Sequence, residues 1–272
     1  MESYQYWMLN NYAFEENATS EYFYNSKIHR EALDRLSYII ESNNMGIGLL
    51  TGEIGAGKTM TRNVLINKVI NNSFDYEFAV MDTSNFTFVD ILMDTISQIC
   101  NIDYTDLPRN KYRLYKIFRD YINSKMLSSN KKIVIILDEA QKISATVLDS
   151  LKDLTNIVHN NSSVITIILV GQPELTSKLK KLPQIDQRIS LKYHLNYLSL
   201  DDTKEYIRFR QFASGSQKDL FTEEAMRMIH SQTHGIPREI NRACRIALDY
   251  GYSEELEIIT DKEMKMILRD FA

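Results

Sequence analysis

Eight consecutive residues, Gly52-Glu53-Ile54-Gly55-Ala56-Gly57-Lys58-Thr59, carry the spacing needed to hold a triphosphate. They fit the pattern G-x-x-x-x-G-K-[ST], with all four required positions filled. Glycine adopts backbone angles that turn successive N–H groups onto phosphate oxygens. Lys58 supplies a point charge to the β- and γ-phosphates, and the Thr59 hydroxyl ligates magnesium. Met60 follows directly into a helix whose N-terminus adds its positive dipole end. The alternative is a plain glycine turn between strand and helix. With only 9 glycines in 272 residues, a chance match is rare, and the phosphate loop is the better reading.

A second group of residues has the types needed to act on such a ligand. Ile133-Val134-Ile135-Ile136-Leu137-Asp138-Glu139 is an apolar strand ending in two acids. At the carboxyl edge of a parallel sheet, Asp138 would hold the magnesium shell while Glu139 orients and polarises the attacking water. Gln172, at the end of the next apolar run, is placed either to reach the γ-phosphate or simply to turn the chain through Gly171-Gln172-Pro173. Arg188 either stabilises charge on a neighbouring subunit's γ-phosphate or is a solvated surface arginine. Arg238 follows Gly235-Ile236-Pro237 and shares a helical face with Arg242 and Arg245. Such a stripe is usually a solvated face, but at the start of a lid helix Arg238 can close on bound nucleotide.

The elements that must position these residues are legible from periodicity. Strands are expected at Ile47–Thr51, Glu77–Asp82, Ile133–Asp138, Val164–Val170 and Ser190–Leu195, each apolar throughout. Helical patterns separate them, as in Leu148, Leu151, Leu154 and Val158. A first helix sets Ile28, Ala32, Leu36, Ile39 and Ile40 on one face. Strands alternating with helices predict an α/β fold, a parallel sheet covered on both faces. From about Leu198 only helix signals remain: Ser199 with Asp202, Thr222 before Glu223-Glu224, and Thr260 with Glu263 read as N-caps. The expected division is an aromatic leader at 1–26, an α/β nucleotide-binding domain at 27–198 and a helical lid at 199–272. The leader's tyrosines, phenylalanines and Trp7 imply that it is pinned to the body, beside the adenine or as plain packing.

The net charge is −4, which excludes a protein that coats nucleic acid through a global basic field. A local basic stripe remains open. No run of 18 apolar residues occurs, and the first twenty residues do not resemble a secretion signal, so the cytoplasm is expected. Cys100 and Cys244 are isolated and suggest neither a disulfide framework nor a zinc site.

Leu49 through Thr59, Leu137-Asp138-Glu139-Ala140-Gln141, Leu169 through Leu175, Gln187-Arg188-Ile189 and Gly235 through Asn241 together resemble an AAA+ ATPase, and more narrowly the ExeA/GspA-type group. Phe14, Tyr22-Phe23-Tyr24 and Ile28-His29 resemble that group's opening. The resemblance implies a P-loop NTPase with ATP and Mg2+ as cofactors. Lys58 and Thr59 would be Walker A, Asp138 and Glu139 Walker B, Gln172 sensor 1, Arg188 the arginine finger and Arg238 sensor 2. Secretion-type members usually continue into a membrane span and a peptidoglycan-binding region, neither of which is present in this sequence. Short soluble members resemble the ATPase partners of transposases, such as MuB, TnsC and IstB. That resemblance implies ATP-dependent rings or filaments of this chain that grip duplex DNA and recruit a transposase. In such assemblies, loops facing the axis would touch DNA; the candidates are Thr83, Ser84 and Asn85, and Arg109 through Lys111 with Arg113, against their being ordinary surface loops. The rival expectation is a cytoplasmic ATPase of a secretion or pilus apparatus acting on protein; a nucleotide-gated scaffold is a third.

Overall fold

The computed structural model of the protein describes residues 2–15, 20–42, 46–72, 75–82, 85–126, 131–159 and 162–270. Five segments form one parallel sheet: β1 (Ile47–Gly52), β2 (Tyr76–Asp82), β3 (Lys132–Asp138), β4 (Ile165–Gly171) and β5 (Ile189–Leu195). Their spatial order is β2-β3-β4-β1-β5. Each begins and ends within one residue of the stretch that the sequence predicts. β1 and β4 are buried at every position, and β3 at all but its first, as unbroken apolar runs require when helices cover both faces. β5 departs from the expectation of a strand apolar throughout. It lies at the sheet's edge, and its exposed and half-buried positions alternate.

The register aligns the carboxyl ends of four strands. Asp82 pairs with Asp138, Leu137 with Leu169, and Thr51 with Gly171. The chain passes from β1 to the far edge at β2 before returning, so the reversal of strand order falls beside β1, where open α/β sheets bind their ligands.

Contacts divide the chain into two compact units. One comprises Glu31–Glu53 and Arg62–Leu195 and contains the sheet. Its core joins the inward faces of β1, β3 and β4 to the helices Phe88–Cys100 and Lys111–Tyr121. The helix Lys27–Glu41 lays Leu36 and Ile39 on β1 so closely that a Cβ at Gly48 would come 2.9 Å from Ile39 and Ile168.

The other unit comprises Met1–Arg30, Ile54–Thr61 and Asn196–Ala272. Here Trp7, Leu9, Ala13 and Phe14 share a core with the helices Leu200–Ala213, Glu223–Thr233, Pro237–Ser253 and Asp261–Ile267. The Trp7 indole N–H donates to the Leu248 carbonyl at 3.0 Å, and Arg210 donates to the Ala13 and Glu15 carbonyls at 2.7 and 2.6 Å. The aromatic leader is therefore packed among the C-terminal helices, a pairing across some two hundred residues that local patterns do not reveal. The three expected caps form: Ser199 accepts from Asp202 N, Thr222 from Ala225 N, and Thr260 forms a capping box with Glu263. Among the described residues, no helix is long and apolar enough to cross a membrane.

Gly235 turns the chain into the helix Pro237–Ser253 with φ 77°, and a Cβ there would collide with the Leu198 carbonyl. Gly235→Ala is expected to destabilise the protein by about 2 kcal/mol or more, read as a lower urea midpoint. An unchanged midpoint would show that this turn is not under steric constraint.

Candidate functional site

Gly52 ends β1, and the loop that starts at Glu53 enters the helix Lys58–Asn72 at Lys58. The octapeptide is shared between the units, with Gly52 and Glu53 in the sheet unit and Ile54–Thr61 in the other. Gly55 and Gly57 have φ 80° and 93°, the left-handed region open to glycine. A Cβ at Gly55 would meet Arg238 Cβ and Ile236 Cγ2 at 3.0 Å, and one at Gly57 would meet His29 Nε2 at 3.0 Å. Ala56 is buried and Lys58 only 8% exposed, whereas Ile54 and Thr59 are exposed and Met60 half-buried. Arg238, the second residue of its helix, is thus brought against the phosphate loop.

His29 has no assigned role in the sequence reading beyond its place in a family-like opening. The structure packs it under the loop. Its Nε2 lies 3.4 Å from the Ala56 carbonyl and its Nδ1 2.7 Å from Ser26 Oγ. A carbonyl can only accept, so Nε2 carries the proton and Nδ1 accepts from the Ser26 hydroxyl. Burial pushes the His29 pKa down to about 4, against the opposing pull of the Ala56 hydrogen bond and Asp202. The imidazole under the loop is neutral at pH 7. The Ser26–His29 spacing at a helix start is the signal that could have exposed this contact.

In the sheet unit, Asp138 is 3% exposed at the end of β3. Arg62 Nη1 lies 2.7 Å from its Oδ2 and 2.8 Å from Asp82 Oδ1, while Asp138 Oδ1 accepts from Glu139 N at 2.8 Å. Burial raises the Asp138 pKa and Arg62 opposes it. Sequence reasoning passed over Arg62, since one helical arginine among 32 basic residues carries no local mark. Glu139 adopts φ 53°, uncommon for a residue with a side chain. Its Oε2 accepts from Gln141 Nε2 at 2.9 Å, and Lys142 lies 3.2 Å away. Gln141 Oε1 in turn accepts from Gln172 N at 3.1 Å, so one amide spans the ends of β3 and β4. Gly171 is required there, because a Cβ would stand 2.7 Å from Gln141 Oε1.

Arg188 lies just before β5 and is exposed, its Nη1 donating to Thr155 Oγ1 at 3.0 Å and Asn156 Oδ1 at 2.7 Å. The residues considered for DNA are scattered. Thr83 and Ser84 lie outside the described residues. Asn85 is exposed with φ 54°, and Arg109 is exposed. Lys111 is the first residue of a helix capped by Asn110; its ammonium lies 4.7 Å over Phe88 and 3.5 Å from Asp153. Among the described residues, no cluster of three or more His, Cys, Asp or Glu side chains could hold a metal by itself.

Two tests follow from these contacts. The unfolded His29 titrates near 6.5 and the folded one near 4. Stability is therefore full above pH 6.5 and falls as pH drops toward 4, by roughly 3 kcal/mol in all. His29→Gln should flatten that part of the pH–stability curve; a curve with unaltered slope rejects the assignment. Arg62→Ala should cost about 3 kcal/mol by leaving Asp138 buried and uncompensated, with Asp138→Asn in the same chain recovering part of the loss. Additive losses in that double variant would argue against the pair.

Residues 41–179 match the AAA domain family. General secretion pathway protein A of Aeromonas hydrophila is 34% identical over 249 residues, covering 90% of this chain and 44% of that protein. The chain thus spans less than half of that relative's length. Among solved structures, the Aeropyrum pernix ORC2 protein in its ADPNP-ADP complexes superposes with a TM-score of 0.71 at 16% identity, covering 96% of this chain and 71% of that one. The Aeropyrum pernix ORC1 protein in complex with DNA gives 0.65 at 12%, covering 96% and 69%. These structural likenesses concern the fold. With the family matched over half its length and the parallel sheet and phosphate loop in place, the chain belongs to the AAA domain family, the AAA+ ATPases.

Proposed function

We propose that this chain binds and hydrolyses ATP at interfaces between copies of itself and assembles on duplex DNA in the cytoplasm, where it recruits or activates a transposase. The observation that carries the reading is the phosphate loop, with Gly55 and Gly57 held left-handed and Lys58 and Thr59 opening the helix. Lys58 pairs with the β- and γ-phosphates. The Thr59 hydroxyl and the Asp138 carboxylate are hard oxygen donors of the kind magnesium takes. Magnesium held by these two side chains would supply positive charge to the phosphate oxygens. Glu139 orients the attacking water and accepts its proton, and Gln141 fixes the direction of that carboxylate. Gln172 reaches the γ-phosphate or the attacking water, Arg188 supplies charge to the neighbouring subunit's γ-phosphate, and Arg238 closes on this subunit's own nucleotide, coupling the lid to its phosphate state.

DNA is favoured by the ORC1 complex on the same fold and by the cations between Arg109 and Arg119. The transposase partner rests on the resemblance to MuB, TnsC and IstB. A second reading, an ATPase of a secretion system acting on protein, is favoured by the identity to the Aeromonas protein.

Glu139→Gln separates the steps. It should bind ATP, lose turnover by about 100-fold or more, and accumulate as rings or filaments threaded by duplex DNA in electron micrographs. Lys58→Ala should bind no nucleotide and remain unassembled. Native turnover in Glu139→Gln would refute the water-activating role, and assemblies that ignore DNA would favour the secretion reading.

A further inference from the structure

Between Arg109 and Arg119 the chain carries five cations and no acid, although its net charge is −4. The helix Lys111–Tyr121 forms one wall of an open groove of about 1000 Å³, whose other wall holds Asp153, Asn156 and Ile157. Tyr112, Lys116, Arg119 and Asn123 follow one another along that wall at i, i+4, i+7 and i+11, one helical stripe. Lys111 is matched by Asp153, but Arg113, Lys116 and Arg119 form no ion pair with any described residue. Asp120 is the one acid in the lining left without a cation. Exposed basic side chains elsewhere are of both kinds: Arg35, Lys68 and Lys265 are paired with carboxylates, while Lys180 and Lys181 form no ion pair with any described residue.

Two further features mark the groove. The helix widens to a π turn over Ile122–Met126, a distortion that recurs at functional sites. Tyr115 lines the groove, and its buried hydroxyl has no hydrogen-bond partner among the described residues. Burial and Asp153 push its pKa up to about 12.

From this surface we infer that the groove beside Lys111–Tyr121 is a binding site for the phosphodiester backbone of duplex DNA. Lys116 and Arg119 meet phosphate oxygens, and Asn123 and Asn156 add neutral hydrogen bonds. Tyr112, 79% exposed, lays its ring and hydroxyl against sugar and phosphate. The stripe from Tyr112 to Asn123 is roughly 16 Å long at 1.5 Å per residue. An acidic peptide would also pair with these cations; the DNA-binding reading above is what favours the duplex. The inference deepens the DNA-binding reading and rests on it, while shifting the contacts from loops to a helix face.

Binding of a short labelled duplex by the full chain with ATP should be measured across about 50–200 mM salt, for the wild type and for Lys116→Gln/Arg119→Gln. The double variant should bind about tenfold more weakly at the upper salt, with the log–log salt slope reduced by about 2. Its unfolding midpoint and DNA-free ATP turnover should match the wild type, since both side chains are exposed. Tyr112→Ala should weaken binding and leave the slope unchanged. If the wild type binds duplex and the double variant binds it equally, with the same slope, the groove is not the site and the DNA reading stands. If the wild type binds no duplex at all, both fall. If poly-glutamate competes better than unlabelled duplex for the same cations, the groove takes an acidic protein and the inference is overturned.

Discussion

The backbone of the phosphate loop must run left-handed at Gly55 and Gly57 while both Cα atoms are packed against other side chains. Either demand alone would favour glycine; together they admit little else. Ile236 and Arg238 close one side and His29 the other, so the loop's shape is imposed by residues far from it in sequence. A nest of N–H groups binds phosphate well only if it is already formed before the ligand arrives. The buried, neutral imidazole suits that task, because a charged ring at that depth would carry a desolvation cost and would compete for the same anion.

A similar economy governs the carboxyl edge of the sheet. Burial pushes proton affinity up at Asp138, and the guanidinium of Arg62, shared with Asp82, opposes that shift. Beside it, the left-handed turn at Glu139 aims that side chain differently from a continuing strand, and Gln141 ties it to the end of β4. The ends of β3 and β4 are thereby joined through one side chain as well as through the ladder.

Family membership limits the chemistry without choosing the cargo. The same fold occurs in Aeropyrum pernix ORC proteins solved with ADPNP and ADP and with DNA, while the Aeromonas relative belongs by its name to secretion. Outside the sheet, the helix Lys111–Tyr121 presents Arg113, Lys116 and Arg119 as exposed cations that form no ion pair with any described residue. Surface charge of this kind is a statement about partners and encounter rates rather than about folding.

The sequence alone determined the strands, the phosphate loop, the paired acids at the end of β3 and the N-caps. Each depends on a short pattern: an apolar run, a fixed glycine spacing, or a side chain bonding a backbone N–H three residues on. Tertiary structure alone decided what lies against those residues. That His29 sits under Gly57, that Arg62 holds Asp138, that Gln141 spans Glu139 and Gln172, and that the leader packs among the C-terminal helices all follow from contacts between distant segments. The alternation at β5 is already written in Ile189-Ser190-Leu191-Lys192-Tyr193-His194-Leu195, whereas its edge position is a property of strand order and not of the strand. Local patterns record how a residue interacts with its own neighbours in the chain; burial, pairing and charge compensation depend on which surfaces the folded core brings together.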